Sequence, residues 1–474
     1  MYGFRRSSRS LQALGFVGGF VALALSATPI ACKKKAPPPA AKPLPELPDI
    51  APDEGSVEPP QAAKAAPMPA CRSVLGVALF RIGEESGAVA RGEPTADDEA
   101  GTDDQDDVPL PFSTEVGDAR ADATGFAAGA LRSAKGNTHA LLALIPSAAP
   151  ALKLIDLGAV HGDPDPPAFA VHGADMVVAA SDTDAGGAML RLGVVHDALG
   201  VANVTWGAEL TGVRRDSPFA LEVSGARALL VFASVAHDKV RLLGASFSVD
   251  QVPAKLATEP VSPGDADVDE PRLAPRNGGF WLASARALPT DKGKGKATPA
   301  PAPSADESDP SLVEDVARRI ELTQLDGNGK PLGAALALST AGESVMTFNL
   351  AAAADGSAYV AFRTDDTTPG ADGGPLRLVH VKLDGTLERL PVEGDEQGSG
   401  APTLLVDAAS GTLWLVASGS TGATWFGKVG PKTELHTNDG VRGASLLGIQ
   451  AGHWLSERAR GTAAELSLLE CPSG

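Results

Sequence analysis

Pro218-Phe219-Ala220-Leu221-Glu222-Val223-Ser224-Gly225-Ala226-Arg227-Ala228-Leu229-Leu230-Val231-Phe232-Ala233-Ser234 is a short apolar stretch, a turn glycine and a second apolar run rich in Val, Leu and Ala. Neither run has the length or the 3.6-residue period of an amphipathic helix. The pair reads as two strands joined by a tight turn. The plan returns at residues 271–284 around Gly278, 348–363 around Gly356 and 402–418 around Gly411, with weaker copies centred on Gly136, Gly173 and Gly452. Each copy leads into a further alternating strand, as in Arg319-Ile320-Glu321-Leu322, which runs to the turn Asp326-Gly327-Asn328-Gly329.

The turn glycines lie 37, 52, 53, 78, 55 and 41 residues apart. The long interval holds a Lys/Gly/Pro/Ala/Ser-rich insertion, residues 288–314, that reads as a loop; without it the period returns to about 50, the span of four strands and their turns. Seven units are expected. The last is short, with room for about three strands between Leu446 and Cys471. The isolated strand Cys71-Arg72-Ser73-Val74-Leu75-Gly76-Val77-Ala78-Leu79-Phe80 supplies the fourth. The expected fold over residues 71–474 is therefore all-β, a seven-bladed β-propeller closed by pairing of its N- and C-terminal strands, which removes exposed strand edges. A β-sandwich explains the strands but neither the long repeat nor the paired ends. Cys71 and Cys471 flank this region and read as a disulfide in an oxidising compartment; two free thiols are the alternative.

Ahead of this region lies a targeting pattern. Arg5, Arg6 and Arg9 precede an uncharged apolar stretch from Leu11 to Leu25. At about fifteen residues it is short of the roughly 20 a spanning helix needs, and it fits the core of a signal peptide. It ends in Pro29-Ile30-Ala31-Cys32, which resembles the lipobox of bacterial lipoproteins. The resemblance implies removal of residues 1–31, acylation of the Cys32 thiol and, since no Asp follows the cysteine, an outer-membrane address. Ordinary cleavage upstream, after Ser26 for example, is the alternative. Residues 33–70 carry eleven prolines among Ala, Lys, Glu and Asp. Such a stretch has nothing to bury and leans to polyproline II, so residues 32–70 read as a lipidated cysteine and a tether.

The formal net charge is −19, and a mature chain without the three signal-peptide arginines is more acidic still. Such a surface repels nucleic acid, whose binding rests on Lys and Arg. Residues 93–107 hold Asp97, Asp98, Glu99, Asp103, Asp104, Asp106 and Asp107, a solvated, disordered loop by this composition, with a site for a cation or a basic partner as the alternative.

Catalytic patterns are missing. There is no Gly-x-Ser-x-Gly, His-Glu-x-x-His or Cys-x-x-Cys, and the eight histidines show no metal-ligand spacing. Asp407-Ala408-Ala409-Ser410-Gly411-Thr412-Leu413-Trp414 resembles the Asp-box of sialidases loosely, with too long an Asp-to-Gly interval. Trp281, Tyr359 and Trp414 each stand three residues after a turn glycine and Trp454 two after its own, a shared position that points to packing between blades. Asp182-Thr183-Asp184, Asp265-Ala266-Asp267 and Asp326-Gly327-Asn328-Gly329 are oxygen-rich enough for calcium, yet Asp, Asn and Gly are also the ordinary turn formers. No catalytic residue, metal ligand or cofactor is assigned. The reading is a non-catalytic binding or scaffold propeller at the cell envelope, held to the membrane by lipid and serving an envelope protein or peptide. The alternative is a hydrolase or lyase acting on envelope polymers through a carboxylate pair.

Overall fold

A computed structural model describes residues 71–74, 80–81 and 112–471, less 135, 149–150, 185–186, 216, 237–238, 263–266, 289–316, 341–342, 365–373, 395–399, 420–421 and 461–462. Cys32, the tether, the acidic loop 93–107 and all but the first residue of the 288–314 insertion lie outside the described residues. That insertion separates the strands Gly279–Ala287 and Arg318–Asp326, the second and third of one sheet.

Seven antiparallel sheets follow one another along the chain, and their innermost strands are Phe112–Asp122, Ala168–His172, Phe219–Ser224, Val268–Arg276, Val345–Ala352, Thr403–Val406 and Ser445–Gln450. These are blades 1 to 7. A blade is sandwiched between two others, so both faces of its strands are buried, and its central strands read as nearly continuous apolar runs. In Arg227–Ala236, the residues from Ala228 to Ala233 are all buried. The core accordingly divides into seven clusters, one per junction. Leu192 and Phe219 fill the gap between blades 2 and 3, and Trp281 and Phe362 that between blades 4 and 5. At the junction of blades 7 and 1, Leu455 and Leu466 meet Phe126 and Ile145. The ring is closed.

The closure is made as expected from the sequence. Ala463–Glu470, the last C-terminal strand, pairs with Arg72–Ser73 and Phe80–Arg81, with Arg72 opposite Glu470 and Phe80 opposite Leu466. Cys71 and Cys471 form a disulfide with their Cα atoms 4.2 Å apart. The buried Cys71 amide also donates to Asn438 Oδ1 at 2.7 Å.

The aromatic positions serve the junctions too. Trp281 is fully buried and its Nε1 donates to the Gly356 carbonyl of the next blade at 2.9 Å. Trp414 of blade 6 meets Trp454 of blade 7 edge-on at 5.1 Å. Asp407, in the turn that resembles an Asp-box, accepts from Ser410 Oγ within that turn and from the Ala451 amide of blade 7, so it ties two blades together.

One repeat is placed differently from the sequence reading. Gly136 lies between the second and third strands of blade 1, at the opposite end of the sheet from the other turn glycines. The equivalent inner turn is Asp122-Ala123-Thr124-Gly125, closed by Asp122 Oδ1 accepting from the Thr124 amide at 2.6 Å. Gly125 to Gly173 is then 48 residues, close to the period. The first two turns of that blade each have a residue at positive φ, 147° at Gly125 and 82° at Gly136, so each carries glycine.

Candidate functional site

The seven inner strands surround a channel with a cavity of about 450 Å³. Its walls are mostly Ala, Leu and Gly, and few polar side chains reach it: Asp118 and Arg120 of blade 1, Glu222 of blade 3, Arg272 of blade 4, Asn349 of blade 5 and Thr403 of blade 6.

Two of these form a pair across the channel. Arg120 passes over blade 2, whose inner strand offers only Ala168 and Phe169 to the cavity, and bonds Glu222 on blade 3, Nη1 to Oε2 at 2.5 Å. Its Nη2 donates to the Leu221 carbonyl at 3.2 Å. Glu222 Oε1 accepts from the Val223 amide at 2.8 Å, so both carboxylate oxygens are occupied. Burial opposes charge on Arg120, but Glu222 and Asp118 outweigh it and hold the guanidinium above its ordinary pKa. The pair is a fixed strut.

The side formed by blades 4 to 6 differs. Among the described residues Arg272 makes one hydrogen bond, Nη1 to the carbonyl of its own neighbour Pro271 at 3.3 Å. Asn349 Oδ1 accepts from the Leu404 amide at 3.2 Å, which fixes the orientation of the amide and leaves Nδ2 as a donor without a protein acceptor among the described residues. The Thr403 side chain has no hydrogen bond among the described residues. Three successive blades thus turn unpaired donors toward one cavity.

Local backbone geometry aims Arg272. A β-bulge sets Glu270 and Pro271 opposite the single residue Ser284, and Glu270 sits at φ 51°, a conformation that costs a non-glycine residue of order 1 kcal/mol. Arg318 Nη1 holds the Glu270 carboxylate at 2.7 Å, and Asp269 Oδ1 accepts from the Glu270 amide at 2.8 Å. Burial raises the Glu270 pKa, with Arg318 acting against it. Bulges re-aim side chains next to sites; here the side chain is Arg272.

Of the residues singled out from the sequence, Cys71 and Cys471 come together at the seam and Cys32 lies outside the described residues. Asp326 Oδ1 accepts from the Asn328 and Lys330 amides, and Asp182 Oδ1 from the His161 amide and ring, so these oxygens serve turns and loops. No group of three or more His, Cys, Asp or Glu able to hold a metal occurs among the described residues. The channel residues were not found from the sequence, although a signal existed: Arg272, Asn349 and Thr403 each occupy the second place of a repeat otherwise opened by apolar residues.

No family model matches the chain, and no curated protein does. Among solved structures it is similar to the β-propeller domain of the Trilobed protease from Pyrococcus furiosus, at 9% identity over 76% of this chain and 93% of that one, with a TM-score of 0.43. It is also similar to an alpha-L-arabinanase from Penicillium chrysogenum, at 11% identity over 64% and 92%, with a TM-score of 0.40. An ulvan lyase from a new family of polysaccharide lyases matches over 76% and 96% at 10% identity, with a TM-score of 0.49. Likenesses this low carry no argument about chemistry, which rests on the channel's own residues.

Proposed function

We propose that this chain is an envelope lipoprotein, anchored through Cys32 and spaced from the membrane by residues 33–70, whose propeller binds a ligand in its channel without transforming it. The observation that carries the binding reading is the set of unpaired donors on Arg272, Asn349 and Thr403 around one cavity of about 450 Å³. A few half-buried polar groups converging on a concave, mostly apolar site mark recognition. Against catalysis by a carboxylate pair stands the state of Glu222, whose oxygens are both bonded; the other carboxylate of the cavity lining, Asp118, makes no hydrogen bond among the described residues and acts on Arg120.

The test is a pull-down from intact envelopes with the native acylated protein. The expected result is a retained ligand recovered chemically unchanged; cleaved or unsaturated products, abolished by Asp118→Asn, would establish the hydrolase or lyase reading instead. Anchoring is checked separately. Cys32→Ser moves the protein from the membrane pellet to the soluble fraction, and pelleting unchanged by the substitution, with no lipid mass on the mature N-terminus, rejects it.

A further inference from the structure

Building on the channel as a binding site, we infer that its ligand is a monocarboxylate with a compact apolar body, such as the C-terminal residue of a peptide, seated with its carboxylate on Arg272. The donors decide the head group. Arg272, Asn349 Nδ2 and the Thr403 hydroxyl can all donate, and apart from the Pro271 carbonyl that takes one bond from Arg272 Nη1, no acceptor among the described residues meets them. They suit a group that only accepts, and a planar guanidinium matches a carboxylate through two parallel hydrogen bonds.

Charge decides the valence. Arg120 is paired with Glu222 and further offset by Asp118, so among the described residues Arg272 is the cation of the lining without an ion-pair partner. Glu270 lies close enough to interact electrostatically with Arg272. One such cation among nearby acids suits a single negative charge; a dianionic phosphate would meet uncompensated repulsion. The walls decide the body. Leu273, Leu350 and Leu404 follow the three donors in the chain and line the same cavity, and the one aromatic of the lining, Phe169, is on blade 2. A sugar ring finds no stacking platform beside the arginine, whereas an aliphatic side chain finds apolar surface to cover. The strained bulge at Glu270 is the second, independent sign. Strain of this kind persists where the surroundings over-determine it, and it clusters at ligand clamps.

The experiment titrates the mature chain calorimetrically with N-acetyl-leucine, N-acetyl-leucinamide, hexanoate and glucuronate. N-acetyl-leucine is expected to bind at least tenfold tighter than the amide and than glucuronate. Hexanoate binding as tightly as N-acetyl-leucine assigns the ligand to free acids; weaker binding assigns it to peptide ends. Arg272→Gln should abolish the preference for acid over amide without moving the melting temperature, and Arg272→Lys should restore only part of it. Equal binding of acid and amide, tighter binding of glucuronate, or binding of none of the probes overturns the inference. The wider reading has its own readout. An envelope ligand still retained by Arg272→Gln leaves channel binding standing without the carboxylate, whereas a pull-down that retains nothing removes both.

Discussion

Arg120 and Arg272 begin alike and end differently. Each lies on an inner strand just past a β-bulge that contains an acid, Gly117-Asp118 in blade 1 and Glu270-Pro271 in blade 4, and both reach the same channel. Arg120 finds Glu222 across the intervening blade and becomes part of the scaffold. Arg272 shares the cavity wall of blades 4 to 6 with Asn349 and Thr403, which have donors to offer, and among the described residues it makes a single bond, to the carbonyl of its neighbour Pro271. The local sequence around an arginine therefore does not say whether it is structural. What stands on the neighbouring inner strands does.

The largest effect expected in this molecule sets the scale for that contrast. Reducing Cys71–Cys471 reopens a loop of 400 residues, worth about 6 kcal/mol by chain entropy and about 2–4 kcal/mol in ordinary experience. The melting temperature should fall on reduction, and thiol titration of the oxidised, unfolded protein should find neither cysteine free. Next comes the strut. Glu222→Ala leaves Arg120 without its partner in a low-dielectric channel and should cost about 2–3 kcal/mol in denaturant unfolding. Replacing both residues by apolar ones of similar volume should recover most of that loss; a double variant as unstable as the single would mean the pair does more than cancel charge.

Glu457 is the anionic counterpart of Arg272, a charge with no ion pair among the described residues. Burial and the nearby Glu115 carboxylate raise its pKa. Folding thus favours its protonated form, a contribution present below the ordinary glutamate range and lost as pH rises through the raised value. Glu457→Gln should be more stable than the parent at pH 7, and melting curves should converge as pH falls below that range. The smallest effect belongs to Arg272 itself. Arg272→Gln should change stability by no more than about 0.5 kcal/mol, the range of substitutions outside any network. A loss as large as that of Glu222→Ala would make Arg272 a second strut and erase the comparison.

Much of the architecture was legible because blade formation is a local code. The alternation and turn glycines of residues 218–234 recur in later units, and Trp281 and Trp414 keep their place after the turn because each packs on the following blade. Blade 1 was read off register for a physical reason. The turns at the two ends of a strand have the same chemistry, so Gly136 and Gly125 could not be told apart until the strand pairing was known. The channel was less legible. Asn349 and Thr403 are unremarkable polar residues at the start of apolar stretches, and only a ring that sets blades 4, 5 and 6 side by side around one space makes a set of them.

By itself the sequence determined the period, the all-β class, the acidity and the two cysteines that must meet if seven units close on themselves. Those properties follow from residue types at short range or from the arithmetic of a ring. Only the tertiary structure decided which charges are partnered. Arg120 and Glu222 are separated by 102 residues and one whole blade, and their meeting depends on the width of the channel and on the bulges that turn the inner strands. Periodicity carries no record of either, so it cannot distinguish the arginine that holds the ring from the one left to hold something else.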